Sequence, residues 1–233
     1  MNEALIKKLS TKKGRIDEGL FLVEGKIPVE ALINSDYHVE NIYSVDGTIG
    51  EQIDEEAAKL ISNVADPQNF FAIAKLPTES KKISNGKWLL LDGVQDPGNL
   101  GTILRTANSF KYTGVALTKR AADLYSDKVL RAAKGANFTL DMITDIDAKN
   151  FIQEARDKNL HIYGTIISDE AKPLSKVKKT DDNFVLILGN EGVGVDKSLS
   201  SLIDENINIE MPGNQDSLNV AIAGSILMYE LDK

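Results

Sequence analysis

Three separated stretches hold the residue types that could do chemistry. In the first, Asn99, Thr102, Arg105 and Thr106 share one side of a helical pattern whose other side is Leu100, Ile103, Leu104 and Ala107. An amide, two hydroxyls and a guanidinium on one surface can orient polar or anionic groups, although an ordinary solvated helix face reads the same way. In the second, Gly189-Asn-Glu-Gly-Val-Gly194 follows the apolar run Phe184-Val-Leu-Ile-Leu188, with Glu210 about twenty residues on. A dinucleotide site would have this outline, yet the spacing is G-x-x-G-x-G rather than G-x-G-x-x-G, and a plain strand-to-helix turn explains it equally well. In the third, Ser217 and Asn219 open the last helical pattern. They stand beside first-turn N–H groups that have no partner within a helix and favour polar or anionic ligand atoms.

Composition removes several alternatives. There is no Cys, and the only two histidines, His38 and His161, are far apart in the chain. Disulfides and thiolate metal sites are therefore absent, and metal catalysis and a His-based nucleophile triad are disfavoured. The formal net charge of -8 argues against non-specific binding to nucleic acid but allows local basic clusters. These are residues 7–15, Lys119 with Arg120, Arg131 with Lys134, and residues 172–179. No apolar run is long enough to span a bilayer and no secretory signal is present, so a soluble, cytoplasmic protein is expected.

The elements that must position these residues alternate between strand and helix. Residues 5–13 form a basic amphipathic segment. Strands are expected at 20–23, 41–45 and 70–75, and helices at 27–33 and 50–61, giving a small α/β unit over 1–78 with its own sheet. A turn-rich polar stretch supplies a linker over 79–86. The larger unit, 87–233, opens on the apolar strand Trp88-Leu-Leu-Leu91. Further strands are read at 115–117, 161–167, 184–188 and 207–211, with helices at 127–134 and 151–157 and a short helical pattern at 196–202. A mostly parallel sheet covered by helices on both faces follows. The last helix, from about Ser217, is apolar over much of its circumference. Leu218, Ile222, Ile226 and Tyr229 lie on one side, and Ala221, Gly224, Ser225 and Met228 on the neighbouring one. Such a helix is buried in its own domain or covered by a second copy of the chain.

Taken together, 99–107, 188–194 and 209–220 resemble the three motifs of the SpoU RNA ribose methyltransferases, TrmH-like members of the SPOUT superfamily, in that family's order. Arg131-Ala-Ala-Lys-Gly-Ala136 resembles another family element, and Glu18-Gly-Leu-Phe-Leu-Val-Glu-Gly25 resembles the start of an L30e-like RNA-binding domain. The resemblance covers nearly the whole chain. It implies a C-terminal domain closed by a deep trefoil knot, a feature that topology rules alone would never suggest. It also implies a homodimer, S-adenosylmethionine as cofactor, and a structured rRNA or tRNA as substrate. By matching position, Gly189, Ile209 and Leu218 would contact the cofactor, as would Met211 and Thr165. Arg105, Asn99, Glu191, Ser217 and Asn219 would form the catalytic set. The third motif departs from the family pattern: Ile209-Glu210-Met211 stands where Ile-Pro-Met is usual, and the proline is displaced to Pro212.

The implied reaction asks for positioning and proton management. A ribose 2′-hydroxyl is a weak nucleophile, whereas a sulfonium carries its own leaving group, so oxygen, methyl and sulfur must be aligned while a proton is removed. Arg105 would activate the hydroxyl, hold an RNA phosphate or stabilise charge on the oxygen. Asn99, Asn219 and Ser217 would fix the arginine, the ribose or the cofactor, and Glu191 would orient the arginine or a loop. Two other readings compete: an RNA-binding protein that keeps the fold without catalysis, and a nucleotide-dependent oxidoreductase.

Overall fold

In a computed structural model the described residues are 3–78, 81–166, 168, 171–178, 181–213 and 217–233. They form two compact units: residues 1–79 with 123–139, and residues 80–122 with 140–233. The sequence reading kept 123–139 with the larger unit; in space this segment belongs to the smaller one.

The chain begins with two short helices, α1 (Glu3–Leu9) and α2 (Lys12–Glu18), where one amphipathic segment was expected. The break has a local cause. Thr11 caps α2 by accepting the Gly14 N–H at 3.0 Å, and a side chain at Gly14 would run into the Lys8 carbonyl. Arg15 turns inward: it is 5% exposed, donates to the Leu9 carbonyl at 2.7 Å and pairs with Asp123. Arg15 is therefore not part of a basic surface arm.

Then follow β1 (Leu20–Glu24), α3 (Lys26–Ile33), β2 (Val39–Ser44), β3 (Glu51–Gln52), α4 (Glu55–Ile61) and β4 (Phe70–Lys75). The helix expected over 50–61 starts five residues late. Gly50 adopts φ +69 where a β-carbon would strike the Ile42 carbonyl, β3 pairs in parallel with β2, and Asp54 caps α4 through the Ala57 N–H. The sheet runs β1-β4-β2-β3, antiparallel except for the last pair.

The second unit carries β5 (Lys87–Asp92), α5 (Pro97–Ser109) and β6 (Gly114–Thr118). The chain next contributes α6 (Asp127–Ala133) to the first unit, where Leu130 and Phe138 join Phe21, Val23, Val29 and Leu32 in its core. Arg131 is also turned inward there, toward Asp127 and Glu24. The second unit resumes with β7 (Asp141–Ile146), α7 (Ala148–Asp157), β8 (His161–Gly164), β9 (Lys172–Pro173), β10 (Phe184–Gly189), β11 (Glu205–Asn208) and α8 (Val220–Asp232). All strand pairs in this seven-stranded sheet are parallel, in the order β7-β6-β5-β10-β8-β11-β9. β5, β6 and β10 are buried along their whole length, as continuous apolar runs require.

Two strands of this sheet, β7 and β9, went unrecognised in the sequence, because neither offers a sustained apolar run. Two others are displaced. β8 ends at Gly164, and Ile167, expected in it, lies outside the described residues. β11 ends at Asn208, so Ile209 and Met211 follow the strand instead of lying in it. The final helix starts at Val220, because Asn219 caps it by accepting the N–H groups of Ala221 (2.9 Å) and Ile222 (3.3 Å).

Candidate active site

The strand order reverses at β5 and β10. From β5 the chain builds outward through β6 to β7, and then returns to lay β8, β10 and β11 on the other side. In parallel sheets such a switch leaves a crevice beyond the carboxyl ends of the strands. Asp92 and Gly189 end the two adjacent strands there. Thr165 and Ile209 follow the ends of β8 and β11.

The loop after β10 turns back on itself. Asn190 and Gly194 exchange backbone hydrogen bonds of 3.0 and 2.9 Å, with Gly194 at φ +73. The Asn190 carbonyl oxygen Oδ1 gathers the N–H groups of Gly192 and Val193, and its amide nitrogen donates to the Gly93 carbonyl at 2.8 Å. Gly189 has no room for a side chain: an added β-carbon would lie 2.1 Å from the Val195 nitrogen. Only a glycine lets the backbone of Gly194 and Val195 pack this closely against the strand end.

Glu191 projects from that loop onto the β5–α5 connection. Its carboxylate accepts the N–H of Gln95 (3.3 Å), the N–H of Asp96 (3.2 Å) and the side-chain amide of Asn99 (3.1 Å). Partial burial pulls the Glu191 carboxyl up, but the hydrogen bonds from Asn99 and the neighbouring backbone outweigh it and leave it below its ordinary value. The Asn99 Oδ1 in turn accepts the Asn219 side-chain amide at 2.9 Å. A continuous chain Asn219–Asn99–Glu191 thus ties three segments, with Asn99 92 residues from Glu191 and 120 from Asn219 in sequence.

Packing of α8 maintains that chain. Its small face rests on the domain: Ala221 and Met228 are buried, and Gly224 lies so close to Leu188 that a β-carbon would meet it at 2.7 Å. Ser225 reaches Thr106 of α5 at 3.2 Å, and Asp232 pairs with the buried Lys87. The other face stays open, with Ile222 and Tyr229 each about half exposed.

Of the catalytic candidates, Asn99, Glu191 and Asn219 are joined directly. Arg105 is exposed on α5, and its guanidinium has no partner among the described residues. Ser217 is exposed just ahead of the Asn219 cap. Among the cofactor candidates, Gly189 is buried, Thr165 donates to the Ile187 carbonyl at 2.9 Å, and Ile209, Met211 and Leu218 are partly exposed. Glu210, which replaces the family's usual proline, accepts the Ser175 hydroxyl at 2.5 Å. Asp92 and Asn190, both absent from the sequence-based set, belong to the same loop assembly. Their signal was their position at the ends of the apolar strands. Among the described residues, no group of three or more His, Cys, Asp or Glu is placed to hold a metal ion, and no helix is long and apolar enough to cross a membrane.

Comparison with known proteins agrees with this fold. The SpoU rRNA methylase family matches residues 87–229, and the MRM3-like substrate binding domain matches residues 5–72. The 23S rRNA (guanosine(2553)-2′-O)-methyltransferase RlmP of Bacillus subtilis is 36% identical over 97% of this chain and 93% of its own. A TrmH-family structure from Porphyromonas gingivalis superposes with a TM-score of 0.89 at 30% identity, covering 98% of this chain and 96% of the other. The AdoMet-bound rRNA methyltransferase of Sinorhizobium meliloti has the same fold, with a TM-score of 0.88 at 24% identity over 98% and 93% of the two chains.

Fold and family match together define an RNA methyltransferase. The chain belongs to the SpoU rRNA methylase family.

Proposed function

We propose that this chain methylates a ribose 2′-hydroxyl of ribosomal RNA, using the Asn219–Asn99–Glu191 chain to assemble its active site. The observation that carries this reading is that chain itself: three motif loops are joined by side-chain hydrogen bonds at a topological switch point. The likeness to RlmP over almost the full length supports large-subunit ribosomal RNA as the substrate.

When bound, S-adenosylmethionine supplies an electrophilic methyl group attached to a sulfur leaving group. Gly189, Ile209 and Leu218 hold the adenosyl end, mainly through backbone atoms, with Thr165 and Met211 beside them. The bound cofactor would give its methyl group to the 2′-oxygen and leave as S-adenosylhomocysteine, with the 2′-proton passing to solvent. Arg105 remains protonated, so it serves the reaction by stabilising negative charge that develops on the 2′-oxygen. Its exposed guanidinium, unpartnered among the described residues, supports that contact. Asn99 and Ser217 orient the ribose, and Glu191 keeps Asn99 in place.

The domain in this reading carries the family's trefoil knot and works as a cytoplasmic homodimer. The open apolar face of α8, with Ile222, Tyr229 and the adjoining Leu218, supports pairing with a second copy. The small unit holds the RNA. Arg15 and Arg131 are committed to internal ion pairs, so phosphate contacts fall to exposed lysines such as Lys7, Lys12 and Lys13.

The test is an Arg105→Ala variant assayed with S-adenosylmethionine and ribosomal RNA. Cofactor affinity by calorimetry is expected to stay within about twofold, while methyl transfer falls by roughly 10²-fold or more. Full activity in that variant would remove Arg105 from the site. If the wild-type chain fails to bind S-adenosylmethionine at millimolar concentration, the whole reading fails.

A further inference from the structure

Asp92 ends β5 at 2% exposure, yet it takes no part in the Asn219–Asn99–Glu191 chain. Its Oδ1 accepts Nη2 of Arg120 at 2.8 Å, and its Oδ2 accepts the backbone N–H of Asp196 at 3.0 Å. Asp196 closes the loop that leaves β10. The next residue, Gly93, donates to the Thr118 hydroxyl at 3.0 Å and receives the Asn190 amide on its carbonyl at 2.8 Å. The loop over 190–196 is therefore fastened to the end of β5 at both of its ends. Burying a carboxylate is costly without a counter-charge and hydrogen bonds. The four preceding residues, Trp88 to Leu91, are all apolar, so packing alone would ask for another apolar residue here.

We propose that Asp92, with Arg120 as its counter-charge, is a positioning residue: it fixes the 190–196 loop, and with it the Gly189 backbone and Glu191, in the shape that binds S-adenosylmethionine. The proposal rests on the methyltransferase reading above and adds to it a pair of residues outside the catalytic and cofactor candidates named there. Arg120 is 55% exposed at its side chain, so its charge neutralises the buried carboxylate while the guanidinium remains hydrated. Two donors converge on Asp92, and each takes a separate oxygen. An amide at this position offers one acceptor oxygen and would turn its NH2 toward the other donor.

Asp92→Asn, Asp196→Pro and Asp196→Asn are compared with the wild-type chain by calorimetric titration with S-adenosylmethionine, by kcat and KM, and by melting. Asp196 has φ -58, a value that proline adopts, so the proline variant removes the donated N–H without touching the Asp92–Arg120 pair. Asp196→Asn keeps both the N–H and a side-chain cap on Ser198. Asp92→Asn and Asp196→Pro are expected to weaken cofactor binding about tenfold and raise KM for the cofactor in step, with kcat at saturation less affected. Asp196→Asn is expected to bind as the wild type does. A folded Asp92→Asn protein with unchanged affinity and KM overturns the proposal, even if its melting temperature falls. Equal weakening by both Asp196 variants also overturns it, because loss of the Asp196 carboxylate charge beside Arg120 would then be the cause. Should Asp92→Asn not fold, the contrast between the two Asp196 variants decides. Failure of the wild-type chain to bind overturns the methyltransferase reading itself, a result distinct from wild-type binding with an unaffected Asp92→Asn.

Discussion

Glu191 joins the loop after β10 to the β5–α5 connection, and its ionisation governs how well they hold. Its folded-state carboxyl lies below the ordinary value of 4.5 because its anion receives hydrogen bonds from Asn99 and from the backbone. A depressed carboxyl contributes stability that is fully present above the unfolded value and is lost as pH falls through the lowered folded value. Cofactor affinity is therefore expected to be level from neutrality down to about 4.5 and to decline below it. Glu191→Gln, which cannot ionise, is expected to show weaker binding throughout and no such step. Titrations at a series of pH values check both. A wild-type acid decline that persists unchanged in the glutamine variant would assign it to another group.

At the scale of elements, α8 depends on a single residue that does two jobs. Asn219 caps the helix through Oδ1 and tethers Asn99 through Nδ2. Asn219→Ala is expected to lower stability by about 1 kcal/mol, the usual cost of losing such a cap, and to cut methyl transfer as well. Asn219→Asp keeps the capping oxygen but presents a second oxygen, in place of a donor, to the Asn99 carbonyl. It is expected to restore the melting temperature and leave activity low. Thermal melts beside activity assays separate the cap from the tether, and recovery of both in the aspartate variant would show that the tether is idle.

The whole molecule carries two features that single elements do not reveal. One is the open face of α8, where Tyr229 lies against Phe110 with ring centroids 6.1 Å apart and Ile222 is exposed. Ile222→Glu is expected to convert a dimer to a monomer in sedimentation or light scattering, and a wild-type monomer at micromolar concentration would dismiss the pairing. The other is the contribution of 123–139 to the small unit. A fragment ending at residue 79 would lack Leu130, Phe138 and Tyr125 from that core and Asp123 from the Arg15 pair. Each buried apolar side chain is worth roughly 1.5–3 kcal/mol, and a domain of this size has little stability to spare. The fragment is expected to be unfolded by circular dichroism; a cooperative melt would show that the inserted segment is dispensable.

How far the sequence could be read depended on the range of the forces concerned. Apolar runs such as Trp88 to Leu91 and Phe184 to Leu188 declared buried parallel strands, and the periodicity of Leu100, Ile103, Leu104 and Ala107 declared the face that α5 buries, because burial imposes those patterns locally. Motif order pointed to the three loops and named Asn99, Glu191 and Asn219. It could not tell that Asn99 bridges the other two, that Arg15 and Arg131 turn inward, or that Glu210 engages Ser175, since each of these contacts joins distant residues and leaves no periodic trace. The helix misread over 50–61 failed for the same reason: Gly50 answers to the Ile42 carbonyl, a neighbour only after folding. What the chain determined by itself was its strands, helix faces and motif chemistry, because solvent exclusion acts residue by residue. The tertiary structure alone decided which charges are neutralised inside, which loops meet, and that residues 123–139 complete the smaller unit, because those outcomes depend on partners that only folding brings within hydrogen-bond reach.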